Sequence, residues 1–346
     1  MSNKDLVIGP LNIEREPHFD GLYIKISIED FLSKGFNYGD SLNLSFSNGV
    51  ELKDIPFYSA YYVGHDQPLV VAYQSNPYID LTFNFTGRVM DRLNLNEKDT
   101  VIISLNEAKK NLLIEKTFAQ KHSNDRNDYE TDESFCNFRE ITNSNNPKSL
   151  IYRSATPCEN DYNRAYHVSE LCRKYNINYV IDLSNKQEEV DECYKQDDIN
   201  NEYWKYLYEQ KRVIPLSLDV NYQSEKCAQR LVEILRFIIN NDGPYLIHCS
   251  EGKDRTGYAA IVIKGILKHS LSEIEYDYMK TYDEYYHITK QTKLESYEAI
   301  KELYFDRMAK HVFGNDMDDL YSHTKEYLLK VGMSEEEINQ LEEKFK

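Results

Sequence analysis

The 346-residue sequence has no run of eighteen or more apolar residues, the length a helix needs to cross a bilayer. Its opening residues, Met1-Ser2-Asn3-Lys4-Asp5, lack the charged and apolar regions of a signal peptide, so a cytoplasmic protein without membrane insertion is expected. Cysteine is sparse and scattered, at 136, 158, 172, 193, 227 and 249, with no Cys-x-x-Cys pair and no short histidine spacing. That pattern predicts neither a zinc site nor a disulfide framework and fits a reducing compartment. Basic residues are outnumbered, 41 Lys and Arg against 58 Asp and Glu, and the net charge of −17 argues against nucleic acid or an anionic membrane surface as a partner. An anionic substrate must therefore be held by locally concentrated positive charge.

The length suggests two domains. Residues 1–122 read as β-rich: Leu22–Ile26, Ser41–Phe46 and Ile79–Phe85 alternate with the period of half-buried strands, and Asn48-Gly49 is a hairpin turn. A weak repeat aligns 36–46 with 95–105 at a spacing of 59, each copy a turn ending in Asp (Asp40, Asp99), then Ser or Thr, then an alternating strand. Two such copies suggest a small barrel with pseudo-twofold symmetry, and the turns resemble the Gly-Asp turns of small bacterial barrels with interleaved halves. Tyr58, Tyr61, Tyr62 and His65 are read as packing rather than as a ligand site. A module that binds a partner or stabilises its neighbour is the expectation for this unit.

Residues 123–133 are almost without apolar side chains and are predicted to be a linker. From 134 to 346 strands and helices alternate. Strands are expected at 150–154, 179–183, 212–216 and 244–248, and helices at 161–175 and 223–241, with a polar helix or loop at 186–200 and a hairpin tip at 142–148. This is the pattern of an α/β fold, a parallel-type sheet flanked by helices, with ligands at the carboxyl ends of the strands. Arg153, Asp182, the loop after Pro215 and Cys249 are expected near one rim.

His248-Cys249-Ser250-Glu251-Gly252-Lys253-Asp254-Arg255-Thr256-Gly257 lies between a strand and a helix. A cysteine at a helix N-terminus meets orphan N–H groups and the positive end of the macrodipole, which favour a thiolate and a bound phosphate. Five residues separate Cys249 from Arg255, enough for the loop amides to converge on one anion while the guanidinium clasps two of its oxygens. Ser250, Glu251, Gly252, Lys253 and Gly257 are accordingly read as substrate-binding. Gly252 allows the turn, Gly257 allows close packing, and Thr256 is expected to donate its hydroxyl to the Cys249 sulfur. His248 is read as a structural partner of the loop. This equipment suits displacement at a phosphomonoester through a cysteinyl-phosphate, and no metal or cofactor is required.

The run His-Cys-x-x-Gly-Lys-Asp-Arg-Thr-Gly resembles the loop of the bacterial atypical dual-specificity phosphatases, a branch of the protein-tyrosine phosphatase superfamily. Asn137-Phe138-Arg139-Glu140, Leu150–Ser154, Ile181-Asp182-Leu183 and Tyr327–Ser334 extend the likeness, which covers roughly 134–346. The chain departs from the family at Thr142-Asn143-Ser144, where Gly-Gly is usual, and at Ser184, where Arg is usual. The resemblance implies activity on phosphotyrosine and often on phosphoinositides, with a phosphorylated protein or phosphoinositide as partner. It implies Asp254 as general acid, whereas the broader superfamily would use an upstream loop Asp, here Asp219. Lys253 adds positive charge at the rim, and Asp182 is expected to orient Lys253 or the loop, or only to end its strand. An inositol polyphosphate phosphatase and a phosphate-binding module without turnover are the alternatives.

Overall fold

The computed structural model describes residues 6–345, which form two compact units. One unit runs to Lys121 and takes in Glu298–Leu303; the other holds His122–Tyr297 and the chain from Tyr304 onward. The polar stretch 123–133 lies within the second unit. There Thr131 caps the short helix Asp132–Phe135, and the carbonyl of Ser123 and the side chain of Asn124 accept from the buried Arg164.

The first unit is a closed barrel of β1 (Val7–Arg15), β2 (Leu22–Ile24), β3 (Ser41–Phe46), β4 (Glu51–Tyr58), β5 (Pro68–Val71), β6 (Ile79–Phe83) and β7 (Thr100–Glu107), ordered β1-β2-β6-β5-β4-β3-β7. Alternation along the strands sends Leu42, Leu44, Val101 and Ile103 into one core. The repeat has a structural counterpart. β3 and β7 pair antiparallel with Leu44 opposite Ile103, which are equivalent positions of the two copies, so a local twofold passes between them. In each copy the turn is closed the same way: Asp40 accepts from the backbone of Asn37 at 2.8 Å, and Asp99 from that of Asn96 at 2.9 Å. Tyr58 is buried against Tyr62, and Tyr61 lies against Tyr73, as packing predicts.

The second unit is built on a five-stranded sheet, β11 (Val213–Pro215), β10 (Tyr179–Asp182), β12 (Tyr245–His248), β9 (Ile151–Ser154) and β8 (Arg139–Glu140), in that order. All pairs are parallel except β8 with β9, which is a hairpin spanning the polar tip 141–150. The registers place Pro215 beside Asp182, Asp182 beside His248, and His248 beside Ser154, so four carboxyl ends form one rim. The amphipathic helix Glu225–Asn240 buries Leu231, Ile234, Leu235 and Ile238. Asp254–Ile266, by contrast, is buried on every side after its first turn. The segment 202–209, unassigned from the sequence, is a helix that buries Trp204 and Leu207.

Two expectations are corrected. Cys158 and Cys193 are joined by a disulfide, because β10 and the helix Gln187–Tyr194 carry the chain back to a Cα separation of 5.7 Å that linear spacing does not reveal. Arg153 does not reach the rim. It is fully buried beneath the loop after β12, since the inward face of β9 points it there. No helix among the described residues is long and apolar enough to cross a membrane.

The two turn aspartates differ in burial. Asp40 is 1% exposed and also accepts from the Lys109 N–H at 2.8 Å, whereas Asp99 is more open. Asp40→Ala is expected to cost about 2–3 kcal/mol and Asp99→Ala about 1 kcal/mol, measured by urea unfolding.

Candidate active site

The loop between β12 and the helix Asp254–Ile266 has all its carbonyls turned into the protein. Cys249 O lies 3.4 Å from His248 Nδ1, and Ser250 O accepts from the Thr156 N–H at 3.1 Å. Asn137 Nδ2 donates to both Glu251 O and Gly252 O. Arg153 Nη2 donates to Gly252 O at 2.6 Å and to Lys253 O at 3.3 Å. The N–H groups of Ser250, Glu251, Gly252 and Lys253 have no acceptor among the described residues. Backbone groups inside a protein are normally paired, so a run of loop N–H groups without acceptors is the feature of a candidate anion site. The shape depends on Gly252. Its φ is +68°, and an added Cβ would lie 2.3 Å from Ser154 O.

The carbonyl clamps are held by ion pairs behind the loop. Asp277 accepts from Arg139 Nε at 2.8 Å with one oxygen and from Arg153 Nη1 at 2.6 Å with the other. Burial opposes its ionisation, but Arg139 and Arg153 outweigh burial and hold the carboxyl well below the usual range. Arg139 also donates to Asn137, and Thr281 Oγ1 donates to Asn137 Oδ1 at 3.0 Å, which fixes the amide under the loop. Asn137, Arg139, Arg153 and Asp277 are therefore part of the site. The first three stood in the motif segments at 137–140 and 150–154 without an assigned task, and Asp277 had no local signal at all.

Cys249 is a free cysteine, 4% exposed, at the base of the loop. Arg255 donates to Ser250 Oγ at 3.3 Å and to the carbonyls of Leu183 and Ser184 at 3.2 and 3.4 Å, so its guanidinium lies across the rim. His248 is fully buried. Burial lowers its pKa against the pull of Asp182, 3.7 Å away, which favours the neutral ring. Asp182 neither orients Lys253 nor faces the pocket; its Oδ1 accepts from Ser184 and Asn185 and shapes the turn that supplies carbonyls to Arg255. Gly257 packs against Tyr278, where an added Cβ would lie 2.7 Å from the ring. Thr256 Oγ1 is buried and makes no hydrogen bond among the described residues, so the expected donation to Cys249 is not made; a thiol is a weak acceptor, and the bond belongs to the thiolate.

Lys253 is a second correction to the rim. Its ammonium is 2.9 Å from Glu251 and faces the rings of Tyr282 and Tyr286, so it is not a free charge. Glu251 is also 3.4 Å from His122 Nε2. Burial would raise the Glu251 pKa, but Lys253 and His122 prevail and lower it. The side chain of Asp254 is half exposed, 3.5 Å from the Tyr278 hydroxyl. Partial desolvation raises its pKa against the pull of Lys253. Asp219 is engaged elsewhere, accepting from the Asn221 N–H and from Ser224 Oγ beside the cap of the helix Glu225–Asn240.

A family model described as "Tyrosine phosphatase family" matches residues 132–346. The chain belongs to the tyrosine phosphatase family. It is a cysteine-based phosphatase, a hydrolase whose substrate is phosphorylated. Solved structures with similarity include the core catalytic domain of the PP-IP phosphatase SIW14 from S. cerevisiae, 19% identical, covering 50% of this chain and 91% of that one with a TM-score of 0.30. TpbA from P. aeruginosa is 16% identical, covering 57% of this chain and 85% of that one, with a TM-score of 0.25. No curated protein matches.

Because the Asp277 pKa is lowered in the folded phosphatase, its stabilisation is complete above the ordinary carboxylate range and is lost as pH falls below it. Asp277→Ala strands two buried cations and is expected to cost about 3–5 kcal/mol. It should also flatten the dependence of the urea midpoint on pH in the acid range, and an unchanged acid slope would contradict this role.

Proposed function

We propose that the phosphatase acts on phosphotyrosine, with phosphoserine, phosphothreonine and phosphoinositides as secondary substrates. The observation that carries this reading is the pairing of Lys253 with Glu251 beside the Tyr282 and Tyr286 rings. A rim that is internally neutralised and faced with aromatic rings suits a single phosphate on a phenol. An inositol polyphosphate would call for uncompensated cations there.

In this mechanism the Cys249 thiolate attacks phosphorus and the bond to the phenolic oxygen breaks. The four free loop N–H groups and Arg255 bind the three equatorial oxygens as charge redistributes. Asp254, at the start of the helix that follows the loop and half open to the leaving group, gives its proton to the leaving phenolate. The resulting cysteinyl-phosphate is hydrolysed by water, with Asp254 taking the proton back and Thr256 assisting the departing sulfur. Neutral His248 supports the loop and is not a base. The engagement of Asp219 in its own turn favours Asp254 over it.

Hydrolysis of an aryl phosphate is expected to vanish in Cys249→Ser and to be unaffected by chelators; chelator-sensitive turnover surviving in Cys249→Ser would sink the mechanism. Asp254→Asn should lower kcat about 10²–10⁴-fold and remove the fall in rate as pH rises through the acid's pKa, while Asp219→Asn keeps that limb. Glu251→Gln frees Lys253 and should raise kcat/KM for an inositol polyphosphate relative to a phosphotyrosine peptide. No change in that ratio in side-by-side assays would count against the specificity reading.

A further inference from the structure

His122 is the first residue of the second unit, and its side chain, 5% exposed, is packed against the catalytic loop. The rings of Tyr162, Tyr285 and Tyr286 surround it, with centroids at 5.2, 4.6 and 6.0 Å. It takes no part in the steps assigned to Cys249, Asp254 and Arg255. Its two nitrogens have different neighbours. Nδ1 lies 3.3 Å from both Arg164 Nη2 and the Ser123 carbonyl, and Nε2 lies 3.4 Å from Glu251 Oε1.

Which nitrogen carries the hydrogen follows from those neighbours. The Ser123 carbonyl already accepts from Arg164 Nη2 and from the Tyr129 hydroxyl, each at 2.9 Å, so both its lone pairs are taken. A guanidinium can only donate, which leaves Nδ1 to accept and Nε2–H to donate to a carboxylate. Glu251 is thereby divided: Oε1 faces His122, and Oε2 is 2.9 Å from Lys253 Nζ. Its carbonyl is held by Asn137 and by the hydroxyl of Tyr285, whose ring packs on His122. Without a donor at Oε1 the carboxylate is free to turn, and Lys253, which also lies 3.9 Å from Asp254, is no longer committed to Glu251.

We propose that His122 is a positioning residue of the phosphatase: by donating from Nε2 to Glu251 Oε1 it aims Oε2 at Lys253, and so withholds the lysine from a second phosphate on the substrate. The inference deepens the reading of a charge-compensated rim and rests on it. His122→Phe is expected to raise kcat/KM for an inositol polyphosphate relative to a phosphotyrosine peptide about threefold or more. His122→Gln, whose amide N–H can replace Nε2–H, should stay within about twofold of wild type, and His122→Phe should add less than about twofold in the Glu251→Gln background, because both changes act through one carboxylate. A ratio moved by Glu251→Gln but not by His122→Phe, an equal rise in His122→Gln, or a full further rise in the double variant overturns the proposal. Nitrogen-15 spectra of histidine-labelled wild type need no substrate and no His122 variant that folds differently. The His122 ring should carry its proton on Nε2, and Glu251→Gln should shift that signal. An unprotonated Nε2 or an unmoved signal also overturns the proposal. If the spectra agree but Glu251→Gln leaves the ratio unchanged, the specificity reading of the rim fails and the positioning by His122 stands.

Discussion

A loop that binds an anion through its N–H groups must dispose of its carbonyls, and here that task rests on one buried carboxylate. Asp277 holds Arg139 and Arg153 together although both are cations. Arg153 then reaches the carbonyls of Gly252 and Lys253, and Arg139 steadies Asn137 under those of Glu251 and Gly252. Without Asp277 the two guanidinium groups would repel each other in a region with little water to screen them. The four free N–H groups above Cys249 are the outward face of this inward arrangement.

An acidic chain that binds an anionic substrate has to separate local charge from net charge. The net charge of −17 acts over the whole surface, but water and salt screen it over about a Debye length. Inside the pocket the field is set by backbone dipoles, by Arg255 and by the chain of pairs from Lys253 through Glu251 to His122. Lys253 and Glu251 offset one another beside the Tyr282 and Tyr286 rings, while the loop N–H groups and Arg255 are left to face an anion.

Much of this was legible in the sequence, and the reason is locality. The Cys249–Arg255 loop, the strand before it and the helix after it are contiguous, and so are the repeat turns at Asp40 and Asp99, whose equivalent strands pair in the barrel. The task of Arg153 was hidden because β9 shows only that every side chain of the strand is buried, not what lies beneath it. Asp277 sits 124 residues from Arg153 in a helix rich in acids, where nothing marks it out from its neighbours. The partnership of Lys253 with Glu251 was open to view, two residues apart, but whether a lysine meets its neighbour or a substrate depends on how the loop turns at Gly252.

The sequence by itself determined the Cys-x5-Arg pattern and its loop length, the alternation that makes the sheet and the symmetry of the barrel, because each is written in residue type and short-range period. The tertiary structure decided which charges cancel. The ion pairs at Asp277 and Glu251, the burial of Arg153 and the Cys158–Cys193 bond all join residues from separate elements or depend on what packs around them. Electrostatic energy depends on distance and on the exclusion of water, and neither exists until the chain has folded.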